Sequence, residues 1–385
     1  MKLTAVGDVI GMSKQTTEIK TSVFPFGPQH PVLPEPIQLK FVVQEEEIID
    51  VLPQIGYIHR GIEKAIELND YRRNIYICER ICGICNFQHG MAYSETIEKL
   101  TDTMVPLRAK YLRTIWAELT RLQSHLLWLG LFSEGVGFES LFMTIWKIRE
   151  RVLELTERTG GHRIHLSTNA IGGVSKDMDE KLINHYYSEL KTLREEMDTL
   201  APVFYKDKAF RAKQEGKGIL PKKDAVHLGA VGPTIRGSGI SQDMRSNFYE
   251  AYGMLDFRPI TYDSEDVLGR TLVRFDEVYQ SIDLMEEALK QMPEGPIQEK
   301  NTMFPEGVAI VRVEQPRGEC FYYGVGNGTI HLERMRIRTP TIPNIPPLLH
   351  MLKGYEVSDI PAIVHSIDPC IACAERITYV DKEEN

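Results

Sequence analysis

The stretch Cys-Glu-Arg-Ile-Cys-Gly-Ile-Cys-Asn-Phe-Gln-His, residues 78–89, contains a Cys-x-x-Cys pair formed by Cys82 and Cys85. A second pair, Cys370 and Cys373, stands near the other end of the chain in Asp-Pro-Cys-Ile-Ala-Cys-Ala-Glu-Arg, residues 368–376. Two residues between cysteines let both sulfurs point to one side of a tight turn, so two pairs can supply four thiolates to one metal centre. If they do, the fold must bring the two ends of the chain together.

Four thiolates leave three kinds of metal centre open. Structural zinc held by four cysteines is common, but zinc ribbons usually bring their two pairs within about 15 to 20 residues of each other. Here nearly the whole chain separates the pairs. An iron-sulfur cluster is the second alternative. A site for nickel and low-spin iron is the third, because thiolates are ligands that such redox metals prefer.

The two cysteine motifs resemble the metal signatures of the large subunit of nickel-iron hydrogenases. Arg376, where many relatives end the second signature in histidine, is similar to the energy-converting, membrane-associated group. Five further stretches also resemble the quinone-site subunit of respiratory complex I, which lacks the metal cysteines. They are Phe-Gly-Pro-Gln-His-Pro (26–31), Gly-Tyr-Ile-His-Arg-Gly-Ile-Glu (56–63), Gly-Ala-Val-Gly-Pro (229–233), Pro-Arg-Gly-Glu (316–319) and Ser-Ile-Asp (366–368). Because all four cysteines are present, the hydrogenase branch is favoured.

The resemblance implies reversible cleavage of dihydrogen at a nickel-iron centre. All four cysteines would bind nickel, Cys82 and Cys370 as terminal ligands. Cys85 and Cys373 would bridge nickel to an iron that also carries one carbonyl and two cyanides. A scaffold or quinone-binding subunit like that of complex I, and a sulfur-reducing relative of the same complexes, are the alternative functions.

Four more residues receive roles from the same resemblance. Glu35 would accept a proton from the terminal cysteine Cys370 and pass it outward; from the residues alone it is equally a loop carboxylate between two prolines. Arg317 would hold its guanidinium over the metal site, although a structural arginine in a turn is the ordinary expectation. Asp368 would shape the surroundings of the metals together with Arg317. His89 would hydrogen-bond near a bridging sulfur and tune it.

Glu63 matches a carboxylate that holds a second ion, magnesium or iron, in some hydrogenases. In those proteins the second signature ends in a histidine that can ligate, whereas Arg376 is permanently charged and cannot. A salt bridge between Glu63 and an arginine is therefore the alternative interpretation.

Composition limits the partners. A net charge of −9 argues against nucleic acid, and the apolar runs are far shorter than the roughly 20 residues that cross a bilayer. We expect a cytoplasmic chain without a signal peptide, attached to the inner face of the membrane through partners. If four of the six cysteines bind the metal centre, only Cys78 and Cys320 remain, and two cysteines are too few to ligate a four-iron cluster. Electrons would therefore pass to a partner subunit that carries iron-sulfur clusters. The resemblance implies a small subunit with a proximal 4Fe-4S cluster, a ferredoxin-like iron-sulfur subunit, ferredoxin, and membrane subunits that pump ions.

Periodicity predicts one domain over 1–385, mainly α with small β elements and an N-terminal hairpin. The resemblance implies a helical core like that of hydrogenase large subunits. Residues 1–22 would be a loose arm, and 377–385 a short tail that needs no cleavage. His125, inside an apolar helix, is predicted to be a core histidine. The predicted strands are 37–43, 46–52, 308–313 and 319–325, and the predicted helices are 61–68, 73–79, 107–131, 139–158, 177–200, 266–290 and 344–352.

Overall fold

A computed structural model describes residues 21–30, 35–164 and 166–374. The helices are α1 (Ile62–Leu68), α2 (Asn74–Cys78), α3 (Asn86–Leu100), α4 (Leu107–Gly135), α5 (Glu139–Gly160), α6 (Glu180–Lys206), α7 (Lys208–Ala212), α8 (Lys222–His227), α9 (Pro233–Arg236), α10 (Val267–Gln291), α11 (Thr341–Leu352) and α12 (Ile360–Ser366). The strands are β1 (Thr21–Phe26), β2 (Gln38–Gln44), β3 (Glu47–Gln54), β4 (Asn169–Ala170), β5 (Gly173–Val174), β6 (Glu306–Gln315), β7 (Gly318–Asn327) and β8 (Leu332–Arg338). The predicted fold class, mainly α with small sheets, is confirmed.

The long helices α4, α5, α6 and α10 form the core. Helix α4 is buried on nearly every side because it packs against α5 and α10. The outer helix α6 is amphipathic, with its buried residues recurring at helical spacing. Two of these helices begin at aspartates that cap them: Asp179 accepts the Leu182 N–H, and Asp266 accepts the Gly269 N–H. None of the described helices is both long and apolar enough to span a bilayer.

Two three-stranded antiparallel sheets flank the helical core, and β4 pairs with β5 in a small third sheet of the described residues. The predicted N-terminal hairpin is present as β2 with β3, and the predicted strands 308–313 and 319–325 form a second antiparallel pair, β6 with β7. Each gains a third strand that the sequence did not predict, β1 beside β2 and β8 beside β7. Because β1 begins at Thr21, the prediction of a loose arm is wrong for residues 21 and 22. Residues 1–20 and the predicted tail lie outside the described residues.

Buried charged side chains lie between α4 and α10. The Glu118 carboxylate pairs with Arg121 at 3.2 Å and with Arg245 at 3.4 Å. It also accepts hydrogen bonds from the Tyr252 hydroxyl at 2.5 Å and the Ser281 hydroxyl at 2.6 Å. Buried carboxylates need such partners because an unpaired charge in the core costs several kcal/mol.

His125 belongs to the same region of the core. Its Nε2 lies 2.8 Å from Oε2 of Glu277, and both side chains are buried. Burial lowers the pKa of His125 to about 4, although Glu277 opposes the shift. The side chain is therefore a hydrogen-bonded core histidine, as the sequence predicted.

Gly232 permits a close backbone contact that sets the position of Arg317. Gly232 has a φ of +67°, and a Cβ there would lie 2.2 Å from the Arg317 carbonyl oxygen. Gly232→Ala is therefore expected to lower the free energy of unfolding by about 2 to 4 kcal/mol, measured by urea denaturation. Gly229→Ala is the matched control, because Gly229 has a φ of +71° but no atom near its added Cβ. Equal losses in the two variants would mean that the contact with Arg317 contributes nothing.

Candidate metal centre

The two cysteine pairs meet inside the protein. The sulfurs of Cys82 and Cys370 lie 3.2 Å apart, and those of Cys85 and Cys373 lie 3.7 Å apart. All four side chains are at most 3% exposed. Two overlapping groups place their ligand atoms within 4.8 Å of one another: Cys82, Cys370 and Cys373, and Cys85, His89 and Cys373. The fold thus brings opposite ends of the chain to one buried cluster of sulfurs.

Local backbone structure orients the first pair. The Cys82 sulfur accepts the N–H groups of Ile84 at 3.2 Å and Cys85 at 3.4 Å, so the chain turns around this sulfur. Cys85 is the residue immediately before α3. The unpaired N–H groups at a helix start favour a nearby negative charge, which suits a thiolate.

The second pair is held by the segment that leads into α11. The Cys370 N–H donates to the Thr341 hydroxyl at 3.2 Å, and the Thr339 hydroxyl donates to the Cys373 carbonyl. Neither threonine was singled out from the sequence. Their signal is weak, because a hydroxyl that supports a loop distant in sequence has no characteristic spacing.

Arg60 joins the two cysteine loops. Its guanidinium donates to the carbonyls of Arg80 at 2.8 Å and Ile81 at 2.7 Å, just before the first pair. It also reaches the carbonyl of Ala372, between the cysteines of the second pair, at 3.5 Å. Arg60 was not predicted as a site residue, although it lies in the stretch 56–63 that carries the resemblance.

The charge of the sulfur cluster fits a cationic metal. Hydrogen bonds from Cys370, Cys373 and Cys85 lower the pKa of Cys82 well below its ordinary value. Burial and the thiolate at Cys82 raise the pKa of Cys85 well above the ordinary value of a cysteine thiol. One thiolate thus opposes the formation of the next. Four thiolates at this place need a cation to balance them, and soft donors of this kind fit nickel, iron or zinc.

Glu35 contacts the second cysteine loop. Its Oε2 accepts the N–H of Ala372 at 2.7 Å, and its side chain is half-buried. Burial raises the pKa of Glu35, and the Cys82 thiolate adds to the shift. The carboxyl therefore lies beside the second cysteine loop and is half-buried, whereas a solvated loop carboxylate would be exposed.

Arg317 and Asp368 form a buried ion pair next to the sulfurs. The guanidinium donates to Oδ1 of Asp368 at 2.7 Å, to the Asp368 carbonyl at 2.9 Å and to the Ser124 hydroxyl at 3.1 Å. Burial opposes the charge on Arg317, but Asp368, Cys370 and Cys82 raise its pKa above the ordinary value. Asp368 has a φ of +53°, an uncommon conformation that brings its side chain to Arg317 just before Cys370.

His89 contacts both a tyrosine and a sulfur. Nδ1 lies 2.8 Å from the Tyr322 hydroxyl, and Nε2 lies 3.7 Å from the Cys373 sulfur. Burial lowers the pKa of His89 to about 4, which keeps the ring neutral at ordinary pH. Tyr322 was not predicted as a site residue, because its position in the sequence indicates only that it lies on a strand.

The Glu63 carboxylate binds an arginine side chain and a backbone N–H group. Its Oε2 accepts the Arg336 guanidinium at 3.0 Å, and its Oε1 accepts the Ile337 N–H at 2.9 Å. The groups of three or more ligand side chains among the described residues do not include Glu63. This geometry favours the salt bridge over a second metal ion. Arg376 lies outside the described residues.

The comparisons identify the family. A profile described as "Respiratory-chain NADH dehydrogenase, 49 Kd subunit" matches residues 135–304 and 297–376, and "Nickel-dependent hydrogenase" matches residues 60–131. The membrane-bound hydrogenase subunit alpha of Pyrococcus furiosus is 37% identical over 374 residues, which cover 92% of this chain and 88% of that protein. The chain belongs to the family that joins the large subunits of nickel-dependent hydrogenases with the 49-kDa subunit of respiratory NADH dehydrogenase.

Two further relatives show the breadth of this family. The carbon monoxide-induced hydrogenase of Rhodospirillum rubrum is 37% identical over 361 residues, covering 93% of this chain and all of that protein (100%). A component of the F(420)H(2) dehydrogenase of Methanosarcina mazei is 35% identical over 373 residues, covering 94% of this chain and 100% of that protein. Members of this family are thus subunits of oxidoreductases, and both hydrogenases and other dehydrogenases occur among them.

Proposed function

We propose that the chain is the catalytic large subunit of an energy-converting nickel-iron hydrogenase, which interconverts dihydrogen with two protons and two electrons. The observation that carries the proposal is the convergence of four buried cysteine sulfurs from opposite ends of the chain. The match of residues 60–131 to nickel-dependent hydrogenases supports it, because this segment contains the first cysteine pair.

The pairing of the sulfurs supports the ligand assignment. Cys82 and Cys370, the proposed terminal nickel ligands, are neighbours at 3.2 Å. Cys85 and Cys373, which would hold the iron as well as the nickel, are neighbours at 3.7 Å. When bound, a nickel-iron pair with carbonyl and cyanide on the iron supplies the cleavage of dihydrogen and the acceptance of its electrons.

In this proposal, side chains of the protein transfer the proton. A terminal thiolate is a base, so the Cys370 sulfur can hold a proton and deliver it to Glu35. The Ala372 N–H keeps the Glu35 carboxyl at the second cysteine loop. Arg317, fixed by Asp368 and Ser124, places a permanent positive charge beside the sulfurs and stabilises them as thiolates.

Electrons must leave through partners. Cys78 and Cys320, the remaining cysteines, cannot ligate a four-iron cluster by themselves. We infer a small subunit carrying a 4Fe-4S cluster, then a ferredoxin-like subunit and ferredoxin, with membrane subunits that pump ions. The Pyrococcus furiosus relative is named as part of a membrane-bound hydrogenase, which supports attachment to a membrane through such partners. We infer that the attachment is peripheral and on the inner face.

A second candidate is a scaffold or quinone-binding subunit like that of complex I. The 49-kDa subunit profile favours it, because it matches more of the chain than the hydrogenase profile does. Such a subunit needs no nickel. A sulfur-reducing relative would share the fold and differ in the chemistry at the site.

Metal analysis of the purified native complex, combined with infrared spectroscopy, tests the proposal. We expect about one nickel and one iron per chain at the cysteine site, with carbonyl and cyanide bands, because four thiolates suit these metals. A stoichiometric amount of zinc at the four cysteines, or no metal there, would reject the hydrogenase function and leave the scaffold function. Counting metals after removal of the iron-sulfur partners separates the iron of this site from cluster iron.

A further inference from the structure

His89 lies between two polar groups in a buried part of the core. Both His89 and Tyr322 are 0% exposed, and Cys373 is 2% exposed. The Tyr322 hydroxyl faces Nδ1 at 2.8 Å, while the Cys373 sulfur faces Nε2 at 3.7 Å. Each ring nitrogen therefore has one partner of defined chemistry.

The backbone fixes the position of the tyrosine. Tyr322 lies on β7, and α3, which carries His89, packs directly on this strand. Gly324 makes the close approach possible, since a Cβ at Gly324 would lie 2.7 Å from Cγ2 of Thr96 on α3. Helix and strand thus hold the hydroxyl and the ring at hydrogen-bonding distance.

The chemistry of the three groups selects one arrangement of protons. A neutral imidazole has one N–H donor and one bare nitrogen acceptor. Burial raises the pKa of Tyr322 well above its ordinary value, so the hydroxyl keeps its proton and can donate to Nδ1. A metal-bound thiolate at Cys373 can only accept. Both contacts are satisfied when Tyr322 donates to Nδ1 and Nε2–H points at the sulfur.

The Cys78 thiol, which the proposed mechanism does not otherwise use, borders the same hydroxyl. Burial raises the pKa of Cys78 well above its ordinary value, although interaction with Tyr322 opposes the shift. A protonated thiol is a weak acceptor, so it competes poorly with Nδ1 for the proton of Tyr322.

We propose that Tyr322 is a positioning residue that holds His89 in the tautomer protonated at Nε2 and so directs an N–H toward the Cys373 sulfur. The consequence for catalysis rests on the proposed function, in which this sulfur bridges the two metals. An N–H directed at a thiolate withdraws electron density from it and fixes its orientation. We expect Tyr322→Phe to lower hydrogen turnover by about 10-fold to 100-fold, the usual effect of removing a group that supports a metal ligand.

The tautomer can be measured without the native metals. In the reduced, metal-free full-length chain with ¹⁵N-labelled histidine, we expect the NMR signals of wild-type His89 to show a protonated Nε2 and a bare, hydrogen-bonded Nδ1. The absence of these signals in His89→Gln assigns them among the eleven histidines. Without a metal, the sulfur of Cys373 can act as a weak donor or a weak acceptor toward Nε2, so it does not by itself select the tautomer. In Tyr322→Phe we therefore expect a mixture of both tautomers.

The neighbouring residue provides the matched control. Tyr323 follows on the opposite face of β7, so Tyr323→Phe should leave the His89 signals unchanged. A wild-type His89 protonated at Nδ1 would overturn the proposal even if Tyr322→Phe failed to fold. A folded Tyr322→Phe that keeps only the Nε2–H form would also overturn it. Neither result depends on whether the site binds nickel.

Discussion

Cys370→Ser is expected to abolish nickel binding and hydrogen exchange while the fold persists. The Cys370 sulfur lies 3.2 Å from that of Cys82, within the buried cluster. Changing groups that merely support a metal ligand costs about 10-fold to 100-fold in affinity, so loss of a ligand should cost more than about 100-fold. Nickel content of the purified complex and the release of HD from D₂ in water measure the two effects.

Serine should preserve the backbone around position 370. The Cys370 N–H donates to Thr341, and its carbonyl accepts the Cys373 N–H at 3.1 Å, so both contacts survive the substitution. Cys320→Ser is the matched control, because Cys320 is also buried and free but stands outside the sulfur cluster. Equal nickel content and exchange rates in the two variants would contradict the role of Cys370.

The positions of the four cysteines could be anticipated, because a shared metal requires the two pairs to meet however far apart they lie in sequence. Glu35 and Arg317 could be anticipated only through family resemblance. Nothing in a proline-rich loop or a strand turn indicates which distant loop it will contact. In the structure these contacts are a backbone N–H at Ala372 and a buried ion pair with Asp368.

Other features depend on tertiary contacts that periodicity does not encode. Helix α3 was not predicted, since Asn, Gln, His and Ser interrupt its apolar pattern; the structure buries them because α3 is enclosed on all sides. Arg60 joins the two cysteine loops by donating to three carbonyl groups, and no spacing of residues in the sequence indicates these contacts. Glu118 lies on the predicted helix, but its buried arginine partner Arg245 comes from a segment with no regular pattern in the sequence.

Glu35→Gln is expected to lower hydrogen exchange with solvent by about 100-fold to 10,000-fold without loss of metal. A positioned proton-transfer group typically contributes a factor of this size. Glutamine keeps an oxygen that can accept the Ala372 N–H, so the second cysteine loop should retain its geometry. Nickel content and infrared bands should therefore match the wild type, and only the rate of HD formation from D₂ in water should fall.

The pH dependence of this rate provides an independent test of Glu35. The ionised carboxylate is the form that accepts a proton, so activity should rise as pH increases through the pKa of Glu35. Burial and the Cys82 thiolate raise that pKa, which moves the acidic limb of the profile above the position expected for an exposed glutamate. Glu35→Gln should lose this limb, whereas the exposed Glu46→Gln should keep it. A Glu35→Gln enzyme with the wild-type rate and limb would require another residue to receive the proton from Cys370.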